Sequence, residues 1–156
     1  KSINLHKINS ASEMLDEVIK CMKQSDIFIG CAAVSDYKPS DYSNKKIKKE
    51  DNSSLDIELE KNEDILKYVS KNFSESYIVG FAAETSDVIE NAKKKLITKN
   101  LDMIVSNDIS DKSIGFDVDE NEVNVITQDK TLLLKKDKKT RIAKQILKII
   151  STYIHK

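Results

Sequence analysis

Three largely apolar runs are the feature that most constrains how this chain can fold. They cover residues 27–34, 77–83 and 101–105, and segments with helical spacing of apolar residues lie between them. The first run has no polar alternation, which is the pattern of a strand buried on both faces, and such strands are typical of parallel sheets covered by helices. The alternation of strand-like and helix-like segments therefore predicts an α/β fold.

The helical segments have recognisable start signals. Ser10 and Glu13 form a capping box. Asn62 is the predicted N-cap of a second helix, and Ser86 with Asp87 begins a third. The apolar stripes of these three helices and of a C-terminal one are Ala11, Met14, Leu15, Val18, Met22; Ile65, Leu66, Val69, Phe73; Val88, Ile89, Ala92, Leu96; and Ile142, Ile146, Ile149, Ile150, Tyr153.

Weaker signals complete the predicted secondary structure. Residues 3–8 are a short strand candidate, and the alternation at 55–60 indicates an edge strand. Residues 122–127 and 131–136 flank a turn and predict a β-hairpin. The polar, lysine-rich stretch 35–54 is predicted to be a mobile loop. Without a repeat or a linker, residues 1–156 are expected to form a single domain.

Charge and composition exclude several classes of function. The 26 basic and 26 acidic residues balance, and Arg141 is the only arginine. Because guanine recognition favours arginine, a nucleic-acid partner is not expected. Cys21 and Cys31 are too few for a disulfide framework, and His6 and His155 have no partners at metal-ligand spacing.

The chain has no apolar run long enough to span a membrane, so no membrane partner is expected. Together with the low cysteine content, this predicts a cytoplasmic protein. The first residue is Lys1 rather than methionine, which suggests that an upstream portion is absent.

Polar groups follow each of the apolar strands, at residues 35–37, 84–86 and 106–108. Ligands of open α/β sheets bind at the carboxyl ends of the strands, so these groups are candidate binding residues. Ordinary helix caps and turns are the alternative interpretation. For Asp36, the small residues Ala32 and Ala33 leave room for a ligand beside the carboxylate, whereas an Asx-turn would explain the same residue structurally.

The lysines are the candidate groups for anion binding, although a solvated surface is the ordinary explanation for them. Lys46 stands in the predicted loop, where it could reach a polyphosphate. Lys95 and Lys99 are four residues apart and would share one helix face, where an anion could bridge them. The three glycines are scattered, so neither a dinucleotide fingerprint nor a phosphate-binding loop is present in this sequence.

Five strings in register identify a resemblance to a known family. They are AAVSDY at 32–37, KIKK at 46–49, KNEDI at 61–65, GFAAET at 80–85 and KNLD at 99–102. Together they closely resemble the phosphopantothenate–cysteine ligase domain of the bacterial bifunctional coenzyme A biosynthesis enzymes. The match extends over essentially the whole chain, including residues 107–108, 115–116 and the terminal helix.

The resemblance implies a Rossmann-like three-layer sandwich with a mostly parallel central sheet, a C-terminal β-hairpin and a helix. It also implies a homodimer that joins 4′-phosphopantothenate to L-cysteine. In that chemistry CTP and magnesium, which manganese could replace, convert the acid to an acyl-cytidylate. The amine of cysteine then displaces CMP. Flavin is not expected in this segment.

The resemblance also assigns site residues. Lys46 corresponds to the catalytic flap lysine, Asp36 to the aspartate that contacts the nucleotide, and Phe81 to the aromatic residue beside it. The complete set of expected nucleotide-binding residues is Ala32, Ala33, Asp36, Lys46, Asn62, Glu63, Asp64, Ile65, Phe81, Lys95 and Lys99.

Two departures from the family pattern matter. Glu63 stands where the family usually has proline, and the glycine-rich segment of the family would precede Lys1. The active site of this chain alone is therefore expected to be incomplete. A non-catalytic nucleotide-binding or dimerisation fragment is the alternative function, and a nicotinamide-dependent oxidoreductase is disfavoured by the missing glycine fingerprint.

Overall fold

A computed structural model of the chain describes residues 3–41, 56–110 and 118–154. Lys46 and most of the predicted loop lie outside these ranges. Within them no helix has the length and hydrophobicity that a membrane span requires. The elements in chain order are α1 (Ala11–Met22), β1 (Ile27–Gly30), β2 (Tyr37–Pro39), β3 (Leu59–Lys61), α2 (Ile65–Asn72), β4 (Tyr77–Glu84), α3 (Val88–Thr98), β5 (Met103–Asp108), β6 (Glu120–Ile126), β7 (Thr131–Lys138) and α4 (Lys139–Ile154).

The main sheet has five strands in the order β1-β4-β5-β6-β7. β1, β4 and β5 are parallel, and β6 is antiparallel to both β5 and β7. Four of the five strands therefore run in the same direction, which confirms the predicted α/β fold with a mostly parallel sheet. The predicted hairpin is confirmed as β6 and β7.

Helices cover both faces of this sheet. On one face α1, α2 and α3 pack against residues such as Ile78 and Ile104. On the other face α4 packs through Ile142, Ile146 and Ile150 against β4, β5, β6 and β7. The central strand β5 alternates its buried side chains between the two cores, and the three-layer arrangement is confirmed.

The predicted N-cap of α1 is confirmed, and half of the capping box is seen. The Ser10 hydroxyl accepts a hydrogen bond from the backbone N–H of Glu13 at 3.1 Å. The Glu13 carboxylate accepts one at 2.7 Å from the backbone N–H of Asn9, the residue before the N-cap, rather than from Ser10 as in a standard capping box.

The predicted start of α2 is wrong by two residues. Asp64 is the N-cap, and its carboxylate accepts a hydrogen bond from the backbone N–H of Lys67 at 3.1 Å. Asn62 instead donates its side-chain amide to the carbonyl of Ser35 at 2.8 Å. Asparagine and aspartate are both favourable N-cap residues. Asn62 does not cap α2 because its side chain binds Ser35, which lies 27 residues earlier in the chain.

The first apolar run does not form a strand buried on both faces. β1 ends at Gly30, and residues 31–34 are not in a strand. β1 is also an edge strand, so Ile27 and Ile29 remain 38% and 37% exposed. The strand predicted at 3–8 is absent, since these residues have no regular secondary structure.

The stretch predicted as a mobile loop contains a strand that the sequence did not reveal. β2 lies within residues 35–54 and pairs antiparallel with β3, from Tyr37 with Lys61 to Pro39 with Leu59. β3 occupies only the end of the predicted edge strand at 55–60. The two strands form a small separate sheet that joins the end of β1 to the start of α2.

Two glycines allow α2 to approach the sheet closely. Gly30 and Gly80 are direct partners on β1 and β4. A Cβ atom on Gly30 would lie 3.0 Å from Leu66 Cδ2 of α2, and one on Gly80 would lie 3.4 Å from Leu66 Cδ1 and 2.8 Å from Leu101 Cδ1. Leu66 therefore packs onto the glycine pair, which places the N-terminus of α2 beside the end of β1.

Candidate functional site

A cleft opens where β1 ends and β4 continues. The last residue of β1, Gly30, pairs with Gly80, and β4 extends four residues further, to Glu84. The chain that leaves β1 turns away from the sheet and meets the start of α2. The cleft between them has a volume of about 320 Å³ and lies at the carboxyl edge of the parallel strands. Ligands of open α/β sheets bind at this position.

Nine of the eleven expected site residues line this cleft, together with eight others. The nine are Ala32, Ala33, Asp36, Asn62, Glu63, Asp64, Ile65, Phe81 and Lys99. The others are Met14, Phe28, Gly30, Val34, Ser35, Lys61, Leu66 and Lys67. The structure thus brings together expected residues from four separate parts of the chain, while their individual roles stay predictions. Lys46 lies outside the described residues.

Asn62 fastens two walls of the cleft to each other. Its side-chain amide donates to the carbonyl of Ser35, and its backbone N–H donates to the carbonyl of Asp36, both at 2.8 Å. Within the described residues the Asp36 carboxylate makes no hydrogen bond to the backbone that follows it, so the Asx-turn interpretation is not supported. Asn62 therefore fixes the backbone on which the Asp36 carboxylate stands.

Lys99 reaches the cleft from the end of α3 and pairs with Asp64. The distance from Lys99 Nζ to Asp64 Oδ2 is 2.9 Å, and both side chains are partly exposed. Partial burial acts to raise the pKa of Asp64, but the hydrogen bonds from Lys99 and from the Lys67 backbone outweigh it. The net result is that the pKa of Asp64 is lowered. The carboxylate thus caps α2 and holds a lysine at the same time.

This pairing predicts a pH-dependent contribution to stability. Because the pKa of Asp64 is lower in the folded than in the unfolded chain, its interactions stabilise the fold above pH about 4. The contribution disappears as the pH falls through the lowered pKa. Asp64→Asn keeps a capping oxygen but loses the charge, so we expect it to lower the free energy of unfolding by about 1 kcal/mol at pH 7. Urea unfolding at pH 7 and pH 3 should show this difference shrinking toward zero.

Asp87→Asn is the matched control for this prediction. Asp87 is the N-cap of α3, but its side chain makes no capping hydrogen bond and its φ is 48°. Asparagine tolerates that left-handed conformation, so this variant should change stability little at either pH. A loss in Asp64→Asn that stays the same size from pH 7 to pH 3 would show that the charge of Asp64 contributes nothing.

Lys95 is placed differently from the expectation. It does not line the cleft, and its Nζ lies 2.6 Å from Oε1 of Glu84, the last residue of β4. α3 ends at Thr98, so Lys99 is the C-cap residue rather than part of a shared helix face. Each lysine has its own carboxylate partner, and the two do not form a single anion site in this structure. Asn107 likewise does not line the cleft.

The described walls of the cleft carry balanced charges. Lys61, Lys67 and Lys99 contribute three positive charges, and the three carboxylates are Asp36, Glu63 and Asp64. Across the described ranges, no cluster of three or more His, Cys, Asp or Glu side chains could hold a metal ion. A highly charged anion would therefore have to bring a cation with it or receive one from elsewhere in the protein.

Several residues of this site were not predicted from the sequence. Lys61 is the first residue of the string at 61–65 and Lys67 follows two residues after it, so their positions next to predicted residues were an available signal. The serine that contacts the end of α3, Ser70, had no signal at all. Its partner is the carbonyl of Lys99, which is 29 residues away along the chain.

The sheet order and the cleft define the class of protein: a Rossmann-like α/β domain with a candidate ligand cleft at the carboxyl edge of its parallel strands. The chain belongs to the family described as the DNA/pantothenate metabolism flavoprotein C-terminal domain, whose model matches residues 1–154.

Named relatives agree with this assignment. The chain is 39% identical over 154 residues to the coenzyme A biosynthesis bifunctional protein CoaBC of Vibrio vulnificus strain YJ016, covering 96% of the chain and 38% of that protein. CoaBC of Escherichia coli strain K12 is 39% identical over 153 residues, with the same coverage. The chain therefore spans less than half the length of these relatives.

Solved structures show the same fold. The crystal structure of the C-terminal domain of CoaBC matches with a TM-score of 0.77 and 34% identity, over 96% of this chain and 65% of that one. A Cab2 mutant, H337A, in complex with phosphopantothenate-cysteine matches with a TM-score of 0.64 and 16% identity, over 82% of this chain and 45% of that one. The second likeness is one of fold alone.

Proposed function

We propose that this chain forms part of a phosphopantothenate–cysteine ligase that acts in coenzyme A biosynthesis. The observation that carries the proposal is the single cleft that gathers nine expected site residues from four parts of the chain. The relationship to CoaBC at 39% identity supports the same pathway. The substrates would be CTP, 4′-phosphopantothenate and L-cysteine, and the protein would act as a homodimer.

The chemistry of the cleft suits the activation of an acid by a nucleotide. A carboxylate is a poor acyl donor, and attack of its oxygen on the α-phosphate of CTP breaks the bond to pyrophosphate. The mixed anhydride formed in this way then reacts with the amine of cysteine, which releases CMP and leaves an amide. This sequence depends on orientation and on charge neutralisation more than on a strong base.

The walls of the cleft do not carry enough positive charge to neutralise a bound triphosphate. A triphosphate entering a cleft with three lysines and three carboxylates needs further cations. Magnesium fits this requirement, because it is often held by one or two carboxylates together with phosphate oxygens. Asp36 or Glu63 would supply the protein oxygen. Lys46 would provide a second cation and act on the phosphate during the reaction.

The decisive experiment measures pyrophosphate release by the full-length protein. We expect release to require CTP, 4′-phosphopantothenate and magnesium together, and chelation of the metal by EDTA should abolish it. Addition of L-cysteine should then yield CMP and the amide. In control reactions ATP replaces CTP, or 4′-phosphopantothenate is omitted.

The outcomes distinguish the proposal from its alternative. Release that depends on both substrates supports the ligase. Saturable CTP binding without any release from the full-length protein would instead favour a non-catalytic nucleotide-binding or dimerisation role. Release in the absence of 4′-phosphopantothenate would contradict the proposed acid substrate.

A further inference from the structure

We infer that Ser70 is a positioning residue that holds Lys99 in place at the cleft. The inference rests on the proposed function, and it takes Lys99, one of the expected nucleotide-binding residues, as a contact of the nucleotide phosphates. Ser70 lies on α2, does not line the cleft, and is only 4% exposed. Any effect of Ser70 on the reaction must therefore pass through another residue.

The contact between Ser70 and Lys99 is direct. The Ser70 hydroxyl lies 2.5 Å from the carbonyl oxygen of Lys99 and 3.1 Å from that of Lys67, to both of which it can donate. The shorter contact connects α2 to the end of α3. Lys99 is the C-cap of α3, where carbonyl groups have no partner within the helix. Ser70 thus satisfies a carbonyl that the helix itself leaves open.

α2 also holds the charged end of the Lys99 side chain. Asp64, the N-cap of α2, pairs with Lys99 Nζ at 2.9 Å, while Ser70 binds its backbone carbonyl. The two contacts come from residues six positions apart, which corresponds to about 9 Å along a helix axis. α2 therefore fixes Lys99 at both its backbone and its charged end.

The turn that follows Lys99 restricts the position of the Lys99 backbone. Asn100 adopts a left-handed conformation with φ of 49°, and the N–H of Leu101 bonds to the carbonyl of Leu96. Together with the Ser70 contact, this turn defines where the Lys99 backbone stands. A lysine held in this way has less conformational freedom to lose when it binds an anion.

Loss of the hydroxyl should therefore weaken nucleotide binding more than it slows the chemical step. We expect Ser70→Ala to raise KM for CTP about fivefold, the equivalent of one ordinary hydrogen bond, and to change kcat less than about twofold. Pyrophosphate release by the full-length protein measures both constants. A KM equal to that of the wild type would overturn the inference.

Ser76→Ala provides a matched control. The Ser76 hydroxyl also donates to a carbonyl of a distant residue, that of Ser25, at 2.8 Å and in a partly buried position. It precedes β4 at the opposite edge of the sheet from the cleft. This variant should lose a comparable hydrogen bond and leave KM for CTP unchanged. An equal rise in KM in both variants would mean that the effect is only one of general stability.

A double variant tests whether Ser70 acts through Lys99. In the background of Lys99→Met, Ser70→Ala should raise KM no further, because the positioned charge is already absent. A second rise of about fivefold would show that Ser70 acts by another route.

A titration of Asp64 separates this inference from the proposed function. By NMR, Ser70→Ala should move the pKa of Asp64 upward toward its ordinary value, because Lys99 is held less firmly, whereas Ser76→Ala should not. If the wild-type protein releases no pyrophosphate, the proposed ligase activity is wrong, but this titration still decides whether Ser70 positions Lys99. An unchanged Asp64 pKa in Ser70→Ala would overturn the inference.

Discussion

Replacement of Lys99 by methionine is expected to lower kcat/KM for CTP by roughly a hundredfold, the loss of one charge-assisted hydrogen bond to a phosphate. Methionine keeps most of the length and the apolar part of the side chain, but it removes the charge. Of the two lysines expected from α3 and its C-cap, Lys99 lines the cleft and Lys95 does not. The measurement is the initial rate of pyrophosphate release at varied CTP, with unfolding followed separately in urea.

Lys94→Met is the control for the Lys99 variant. Lys94 lies on the same helix and pairs with Glu90 at 2.9 Å, and both side chains are well exposed. Such a surface pair contributes little to stability, so this variant should leave kcat/KM unchanged. Equal losses in the two variants would mean that the overall charge of α3 matters rather than the position of Lys99. An unchanged Lys99→Met would remove that residue from the nucleotide site.

The elements that could be predicted from the sequence are those whose signals are local. The capping box of α1 depends on residues three apart, and the stripe of α4 on residues four apart. β4 was recognisable from a long apolar run, and β5 from the shorter apolar segment at 103–105 followed by polar residues. The prediction fails for elements that depend on residues far away in the sequence. β2 is an example, because its hydrogen-bonding partner is β3, some twenty residues later.

The error at β1 has a similar physical origin. An apolar run indicates that side chains avoid water, but it does not reveal whether a neighbouring strand lies on each side. Among the strands that the structure describes, β1 pairs only with β4, and it stops at Gly30 although the apolar sequence continues to Val34. The residues after Gly30 leave the sheet and form a wall of the cleft. The apolar continuation of the run therefore belongs to the site and not to the strand.

The candidate site also has one part that the local sequence predicts and another part that depends on distant contacts. Ala32, Ala33 and Asp36 could be expected together because they are neighbours in sequence at the end of a strand. The approach of Lys99 to Asp64, and the separation of Lys95 from the cleft, depend on where α3 ends. That end is set by the left-handed Asn100 and by Ser70, which no pattern within α3 itself reveals.

The second prediction with a large expected effect concerns the core between α4 and the sheet. Ile150 on α4 is 1% exposed and belongs to the core that α4 forms with β4, β5, β6 and β7. Ile150→Ala removes buried methyl and methylene groups and leaves a cavity, so we expect a loss of about 3 kcal/mol in the free energy of unfolding. Alanine is a better helix former than isoleucine, and the loss must therefore come from packing. Urea unfolding at neutral pH measures it.

Leu147 on the same helix gives a strict comparison. It is 54% exposed, so Leu147→Ala should change stability by no more than about 0.5 kcal/mol. Similar losses in both variants would mean that α4 packs through a different face, and the three-layer fold would be wrong. α4 and the N-terminus of α2 lie on opposite faces of the sheet, and of the described cleft residues only Phe81 also packs against the core of α4. The folded fraction of Ile150→Ala should therefore change the KM for CTP little. A raised KM in that variant would show that the cleft depends on the core that α4 forms.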